Sequence, residues 1–280
     1  MKFNNDRSVL FIPGGKEELE KVTDLGIGAH PDDLEFMTWR GILAGVVDSQ
    51  RAFMGITLTD GGGSSRTGPY ANCSDEEMKK IRLREQKNAA CVGNYVALAA
   101  LGYTSGEVKK RERAVKDDLR NLVLASRPDF VYTHNLADRH LTHLATASLV
   151  IEVLREVREI YRPQKLYGCE VWRSLDWLAK EDRLIFDVGA RPSLSMSLMG
   201  LYDSQISGGK GYDKATFGRR QANATYNDAY APDESQLLEL AMDMTALIDD
   251  PQLSLEDFLA KKIEHFKEEA LQNLCLSATN

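Results

Sequence analysis

The sequence is poor in cysteine and histidine. It has four cysteines and five histidines in 280 residues, and no two cysteines have the Cys-x-x-Cys spacing of a zinc ribbon. Scattered cysteines without a pairing pattern indicate reduced thiols, not a disulfide framework. We therefore expect a cytoplasmic protein.

Long apolar runs and excess positive charge are also missing. No segment reaches the ~18 apolar residues of a membrane span, and residues 1–6 lack the apolar core of a signal peptide. The 42 acidic residues outnumber the 35 basic ones, which gives a net charge of −7. Such a chain is a poor candidate for binding nucleic acid or inserting into a membrane. With 43% apolar residues, it can bury a substantial core.

Short apolar segments alternate with helical patterns along most of the chain. The candidate strands are residues 22–25, 52–58, 95–101, 128–133, 165–172 and 184–188. This alternation predicts an α/β fold with a mostly parallel sheet and helices on both faces.

The pattern changes towards the two ends of the chain. We expect an irregular arm over residues 1–20 and a helix over 193–202. Residues 207–230 are rich in Gly, Lys, Asn and Tyr, and we expect an irregular excursion there. Residues 232–248 and 255–272 have the pattern of terminal helices.

Two clusters of polar side chains follow candidate strands. His30, Asp32 and Asp33 come after the first strand, and His140 and His143 come after the strand at 128–133. The carboxyl ends of parallel strands share one edge of a sheet, which is where open α/β sheets bind ligands. Two histidines and a carboxylate are a ligand set for zinc or ferrous iron. Taken alone, the first cluster also fits a helix N-terminus with capping carboxylates.

The spacing within each cluster suggests separate roles. His30 and Asp33 are three residues apart and can reach one ion, while Asp32 is left free as a general base. In the second cluster, one histidine is expected to bind the metal and the other to act on the substrate. Two further histidines are less informative, since His134 fits either a supporting or a structural role, and His265 fits a solvated helix surface.

A glycine-rich loop follows the second candidate strand. It runs from Gly61 to Cys73 with Arg66 near its centre, and it is long for a strand–helix connection. No Gly-Lys-Ser/Thr follows, so it is not a phosphate loop. Because it leaves the same sheet edge as His30, we expect it to contact substrate, with a mobile surface loop as the alternative.

Together the motifs resemble the zinc-dependent N-deacetylases related to N-acetylglucosaminyl-phosphatidylinositol de-N-acetylase. This LmbE-like family includes the deacetylases of bacillithiol and mycothiol synthesis. The resemblance covers about residues 22–206. It rests on Ala29-His30-Pro31-Asp32-Asp33, Thr59-Asp60-Gly61, Arg84-Glu85, Asp138-Arg139-His140-Leu141-Thr142-His143 and Tyr202-Asp203-Ser204-Gln205.

The resemblance implies a role for each matching residue. His30, Asp33 and His143 match the zinc ligands, Asp32 matches the general base, and His140 matches the histidine that stabilises the tetrahedral intermediate. It also implies a Rossmann-like fold of the lactate-dehydrogenase-like type and a homo-oligomer. The implied division of the chain is an arm over 1–21, the deacetylase domain over 22–206, and an extension over 207–280 packed on the same domain.

The sequence departs from the family pattern between the paired histidines. Family members often have Pro-Asp there, whereas this chain has Leu141-Thr142. The carboxylate that would orient an imidazole is then missing or is supplied by Asp138. We count Arg66, Asp138 and Gln205 as candidate substrate-binding residues.

Three functions are consistent with these residues. The first is hydrolysis of the acetamide of an N-acetylglucosaminyl-type amino sugar or its conjugate, with zinc or another divalent metal such as Fe²⁺. The second is a metal-dependent hydratase or lyase acting on an unsaturated carboxylic acid, for which Arg66 and Arg139 offer cations. The third is a non-catalytic sugar-binding protein, against which the free Asp32 argues, because a structural zinc site closes its fourth position.

Overall fold

The computed structural model describes residues 1–277, which form one eight-stranded sheet with helices on both sides. The strands are β1 (Val9–Phe11), β2 (Asp24–Gly28), β3 (Phe53–Thr59), β4 (Ala97–Tyr103), β5 (Phe130–His134), β6 (Lys165–Cys169), β7 (Arg183–Asp187) and β8 (Leu238–Asp243). Their order across the sheet is β1-β4-β3-β2-β5-β6-β8-β7. The five strands from β4 to β6 are parallel, and β1, β8 and β7 add antiparallel pairings at the two edges.

The helices connect these strands and complete the chain. They are α1 (Asp33–Met37), α2 (Trp39–Val47), α3 (Asp75–Val92), α4 (Ser105–Lys109), α5 (Arg113–Ser126), α6 (Leu141–Val157), α7 (Pro192–Gly200), α8 (Asp203–Ile206), α9 (Tyr212–Thr225), α10 (Ala246–Asp249) and α11 (Leu255–Ser277). Short 3-10 turns occur at Leu19–Lys21 and Gly68–Tyr70. Among the residues described, no helix combines the length and apolar character needed to cross a membrane.

Apolar side chains cover both faces of the sheet. All seven residues of β3 are buried, as expected for a strand with helices on either side. One core packs α4, α5, α6, α10 and α11 against the sheet, and a second packs α1, α2, α3 and α7 on the opposite face. This confirms the predicted α/β, Rossmann-like fold with a mostly parallel sheet and a helical C-terminus.

The strand order reverses at the centre of the sheet. From β2, the chain moves outward through β3 to β4, then returns to the other side of β2 with β5 and continues to β6. The loops after β2 and β5 therefore diverge and leave a crevice at their carboxyl ends. The two polar clusters of the sequence lie on these two loops.

Three local expectations were wrong. The segment 232–248 contains strand β8 because Leu238–Asp243 is a short buried run, and such a run does not distinguish a strand from a helix by periodicity. Residues 212–225 form helix α9, not an irregular excursion, and the helix is anchored by buried Arg220, which no apolar pattern reveals. The N-terminal arm contributes β1 to the sheet edge. The division at residues 21/22 and 206/207 stays a prediction.

Candidate active site

The turn after β2 holds the first polar cluster in a fixed shape. The Asp33 side chain accepts a 2.6 Å hydrogen bond from the backbone N–H of His30, which closes the turn. The side chain of Asp33 packs closely over Gly28, since a Cβ at Gly28 would lie 2.9 Å from the Cβ of Asp33. The turn thus needs glycine at the end of the strand, and it directs His30 and Asp33 to one point.

Helix α6 begins at the opposite side of the crevice and brings His143 to the same point. His30 Nδ1 lies 3.1 Å from His143 Nε2 and 3.4 Å from Asp33 Oδ2, and His143 Nε2 lies 3.5 Å from Asp33 Oδ1. Ligand atoms placed ~2.1 Å from a tetrahedral zinc are about 3.4 Å apart. The three side chains predicted as ligands therefore have the mutual spacing of a metal site.

His134 and His140 lie beside these three side chains, and each has one ring nitrogen that accepts a hydrogen bond from the backbone. His134 Nε2 accepts from the backbone N–H of Ala29 at 3.0 Å, which occupies the lone pair that a metal would need. Its ring stacks on the ring of His143 with centroids 3.8 Å apart. His140 Nδ1 accepts from the backbone N–H of Thr142 at 3.3 Å, and the rest of its ring lines the cavity. Two overlapping groups place one ligand atom per residue within 4.8 Å of one another: His30, His140 and His143, and Asp33, His134 and His143. His143 is the residue that belongs to both groups.

Asp138 supports His143. Its Oδ1 lies 3.3 Å from His143 Nδ1 and accepts from the backbone N–H of His140 at 2.8 Å. A carboxylate behind a metal-binding imidazole fixes the ring's orientation and raises its basicity. Asp138, which we counted as a candidate for contacting substrate, lies behind the histidines and does not line the cavity.

The side chain of Asp32 is not one of the three candidate ligands and forms a buried ion pair instead. Its Oδ1 accepts a 2.6 Å hydrogen bond from the Arg82 guanidinium, which also donates to the carbonyl of Pro31 and the hydroxyl of Ser64. Burial raises the pKa of Asp32 to about 6, although Arg82 opposes the rise. A carboxyl group with a pKa in this range, held at the cavity wall, suits a general base at neutral pH.

Arg82 is the site residue that the sequence did not single out. The motif that we compared with the family contained Arg84, whose side chain is exposed on α3, whereas Arg82 is only 3% exposed. Arg82 and Glu85 are three residues apart and share the buried side of the helix. Glu85 accepts hydrogen bonds from the backbone and hydroxyl of Ser204, so α3 connects the segment at Ser204 to the site.

The ring of His140 lines the cavity beside those of His30 and His143. Its ring centroid lies 4.8 Å from that of His30 and 4.6 Å from that of His143. Partial burial, with the neighbouring His143, lowers the pKa of His140 to about 4. The ring is therefore neutral at pH 7 and offers a neutral N–H donor.

The two remaining candidates for contacting substrate differ in position. Gln205 is buried at the cavity wall, where its amide donates to the hydroxyl of Ser204 at 3.0 Å. Arg66 is turned into its own loop, with bonds to the carbonyls of Gly62 and Cys73 and a 2.5 Å contact with Asp75. The structure therefore brings Gln205 to the site and leaves Arg66 outside it.

A large cavity opens above these residues. It encloses about 1130 Å³ and extends from the glycines of the loop after β3, past the histidines, to one side of α9. A separate group on the surface, His265 with Glu181 and Asp182, also places donor atoms close together. There Lys262 already pairs with Asp182, and that group lies outside the cavity.

One family model and several solved structures are similar to the chain. Residues 25–154 match the family model described as GlcNAc-PI de-N-acetylase. Among solved structures, the chain is similar to N,N'-diacetylchitobiose deacetylase from Pyrococcus horikoshii, with a TM-score of 0.62, 17% identity, and coverage of 87% of this chain and 92% of that one.

Two further solved structures have the same fold. The 4-carboxy-2-hydroxymuconate hydratase GalB from Pseudomonas putida KT2440 gives a TM-score of 0.60 at 15% identity, covering 83% of this chain and 98% of that one. The A40926 pseudoaglycone deacetylase Dbv21 gives 0.57 at 16% identity, covering 80% and 97%. No curated protein matches the chain in sequence. At these identities the structural likenesses establish the fold.

Proposed function

We propose that this chain, whose residues 25–154 belong to the GlcNAc-PI de-N-acetylase family, is a metal-dependent N-deacetylase acting on an N-acetylated amino sugar or its conjugate. The observation that carries the proposal is the convergence of His30, Asp33 and His143 beside the carboxylate of Asp32, which lines the cavity and pairs with Arg82. Three candidate ligands with a further carboxylate at the cavity wall are the arrangement of a catalytic metal site, not a structural one.

The donor set fits zinc, and Fe²⁺ fits the same two nitrogens and one carboxylate. A bound ion of this kind lowers the pKa of water to about 7 and polarises a carbonyl oxygen. Asp138 holds His143 in its ligand orientation, and the Asp33 carboxylate is held by the backbone of His30.

The remaining residues have roles in moving protons. Asp32 takes a proton from the attacking water as the water oxygen bonds to the acetamide carbon. Arg82 holds the carboxylate through Oδ1, and Asp32 lines the cavity. His140 donates its N–H to the acetamide oxygen as negative charge develops there. The carbon–nitrogen bond then breaks, the proton held by Asp32 passes to the leaving nitrogen, and acetate and the free amine result.

The hydratase alternative keeps one supporting observation, the similarity of fold to GalB. Its need for cations near a dicarboxylate is not met by Arg66, which bonds within its own loop, or by Arg139, which does not line the cavity. Lysines at the cavity edge could serve instead, so the reaction itself must decide between the two functions.

Acetate release tests the proposal directly. The protein is reconstituted with zinc or ferrous iron and incubated with a panel of N-acetylhexosamines, their glycosides and an unsaturated dicarboxylate. We expect acetate from at least one acetamido sugar, and no acetate with Asp32→Asn at equal metal content. If the unsaturated acid is consumed and no acetate is released, the deacetylase function is refuted and the hydratase function is supported.

The family resemblance and the scattered cysteines support two further proposals. We place the enzyme in the cytoplasm and expect it to be a homo-oligomer. Light scattering on the purified protein measures the assembly, and a monomer at working concentration would contradict it.

A further inference from the structure

We propose that Trp172 and helix α9 form a second binding wall, which holds a ring attached to the N-acetylated sugar. The inference rests on the proposed deacetylase function and adds the residues of this chain that would hold the ring next to the acetamido sugar. The wall is the part of the cavity opposite the glycine-rich loop.

Helix α9 presents one side to the cavity. Tyr212, Ala215, Thr216 and Arg219 all line it, and their spacing of three, four and seven residues places them on one helical face. The guanidinium of Arg219 donates to the carbonyl of Val171, next to Trp172 in the chain. This bond connects α9 to the segment after β6, so that the two parts of the wall are held together.

The Trp172 indole is the central feature of the wall. It remains 36% exposed although it lies inside the cavity. Its ring lies 6.4 Å from that of His140 at an interplanar angle of 27°, and Tyr212 meets it edge-on at 6.0 Å. An exposed indole in a cavity wall offers apolar area at little entropic cost, and rings of sugars and aromatic groups bind to such surfaces.

The position of Trp172 defines what it would contact. The His140 ring lies 4.8 Å from the ring of His30, 4.6 Å from that of His143 and 6.4 Å from that of Trp172. A sugar whose acetamide reaches His30 and His143 would therefore place its next ring beside the indole. The ammonium of Lys210 lies 4.7 Å from the indole centroid. Lys210 is exposed and has no carboxylate partner among residues 1–277, so its flexible side chain can move aside for a ligand ring.

The size of the cavity supports the same conclusion. Pockets for drug-sized ligands are about 300–1,000 Å³, and this cavity of about 1130 Å³ exceeds what one acetamido sugar fills. The volume beyond the histidines is the part bounded by α9. A substrate of two or more rings would occupy both parts.

Steady-state kinetics on matched substrates tests the wall. The substrates are N-acetylglucosamine, its phenyl β-glycoside and N,N'-diacetylchitobiose, with acetate as the readout. We expect wild type to prefer the two-ring compounds. Trp172→Ala should reduce kcat/KM for the preferred two-ring compound roughly tenfold more than for the monosaccharide. The phenyl glycoside and the disaccharide distinguish an aromatic from a sugar second ring.

Two control variants separate stacking from general damage. Trp172→Phe keeps an aromatic face and should restore most of the preference. Trp177→Phe changes a tryptophan that packs against Phe266 of α11, outside the cavity, and should leave both rates at wild-type values. Equal losses for one-ring and two-ring substrates in Trp172→Ala, or no preference in wild type, would overturn the wall.

Binding distinguishes failure of this inference from failure of the proposed function. Tryptophan fluorescence is titrated with the phenyl glycoside in the metal-loaded protein. Quenching that is present in wild type and absent in Trp172→Phe supports the wall even if no compound releases acetate, in which case only the reaction was assigned wrongly. Absence of quenching together with equal turnover of all three compounds refutes the wall and retains the deacetylase.

Discussion

Replacing Arg220 by methionine should destabilise the protein and loosen the metal site. Arg220 is 1% exposed and pairs with Glu239 at 2.6 Å. It also donates to the carbonyls of Glu35 and Phe36 at 3.3 and 3.4 Å, where α1 breaks before α2. Removing one partner of a buried ion pair leaves the other charge uncompensated and costs about 3–5 kcal/mol. We expect a loss of that size in the free energy of unfolding, measured by urea denaturation.

The pH dependence of this loss identifies its cause. Burial already raises the pKa of Glu239, with Arg220 opposing the rise, and without Arg220 the pKa rises further. A carboxyl group whose folded pKa is raised contributes stability that falls as pH rises from its unfolded pKa through its folded pKa. The deficit of Arg220→Met should therefore be smaller at pH 5 than at pH 8. Adding Glu239→Gln should recover much of it, whereas additive losses would refute the ion-pair explanation.

Arg155 provides a matched control. Its guanidinium donates to the carbonyls of Leu247 and Leu253 at 2.6 Å and has no carboxylate partner among the described residues. Arg155→Met should cost stability without this pH dependence. Metal affinity, measured by competition with a chelator, should fall only for Arg220→Met, because α1 carries Asp33. Equal metal affinity in both variants would show that Arg220 does not position the site.

Three further predictions concern the catalytic residues. Asp32→Asn should keep the metal but lose ~10²–10⁴-fold in turnover, because an amide cannot take the proton of water; near-normal rates of acetate release would remove Asp32 from the mechanism. His140→Ala should lower kcat more than it raises KM, since its partner is a charge of the transition state; a change confined to KM would make it a substrate-holding residue. His143→Ala should lose most of its metal in elemental analysis, while Asp138→Asn should weaken metal binding ~10–100-fold; wild-type occupancy in His143→Ala would mean that another residue is the third ligand.

The meeting of the two polar clusters could be anticipated from the sequence because it follows from the parallel arrangement of the strands. Once residues 24–28 and 130–134 are neighbouring strands, the loops after them must meet at one edge, and each carries histidine. Arg82 could not be found this way. It reaches Asp32 from the middle of α3, and its approach depends on how that helix is rotated against the sheet. A helix with charged residues on every side gives no signal for which arginine turns inward.

The residues of the cavity wall could not be predicted from the sequence for a different reason. The predicted strand at 165–172 ends at Cys169, so Trp172 lies on the loop that follows, and an alternating apolar pattern cannot locate that end. Helix α9 has few apolar residues, and its main anchor is a buried ion pair with β8, whose own strand character was missed. Burial of charge between segments distant in sequence leaves no periodic trace in either one.

The charges buried around the site give an independent reason to expect a divalent cation. Asp32, Asp33 and Asp138 are all less than 10% exposed, and Arg82 is the one guanidinium that pairs with any of them within the described residues. Against the effect of burial, the carboxylates of Asp33 and Asp138 raise the pKa of His143. Once the histidines are neutral, as binding a metal requires, the group carries two uncompensated negative charges, which is costly in a site of low polarity. A monovalent ion would leave one charge, and protonation of all the carboxylates would remove the base. A doubly charged ion held by His30, Asp33 and His143 would balance these charges and leave Asp32 ionised and available for catalysis.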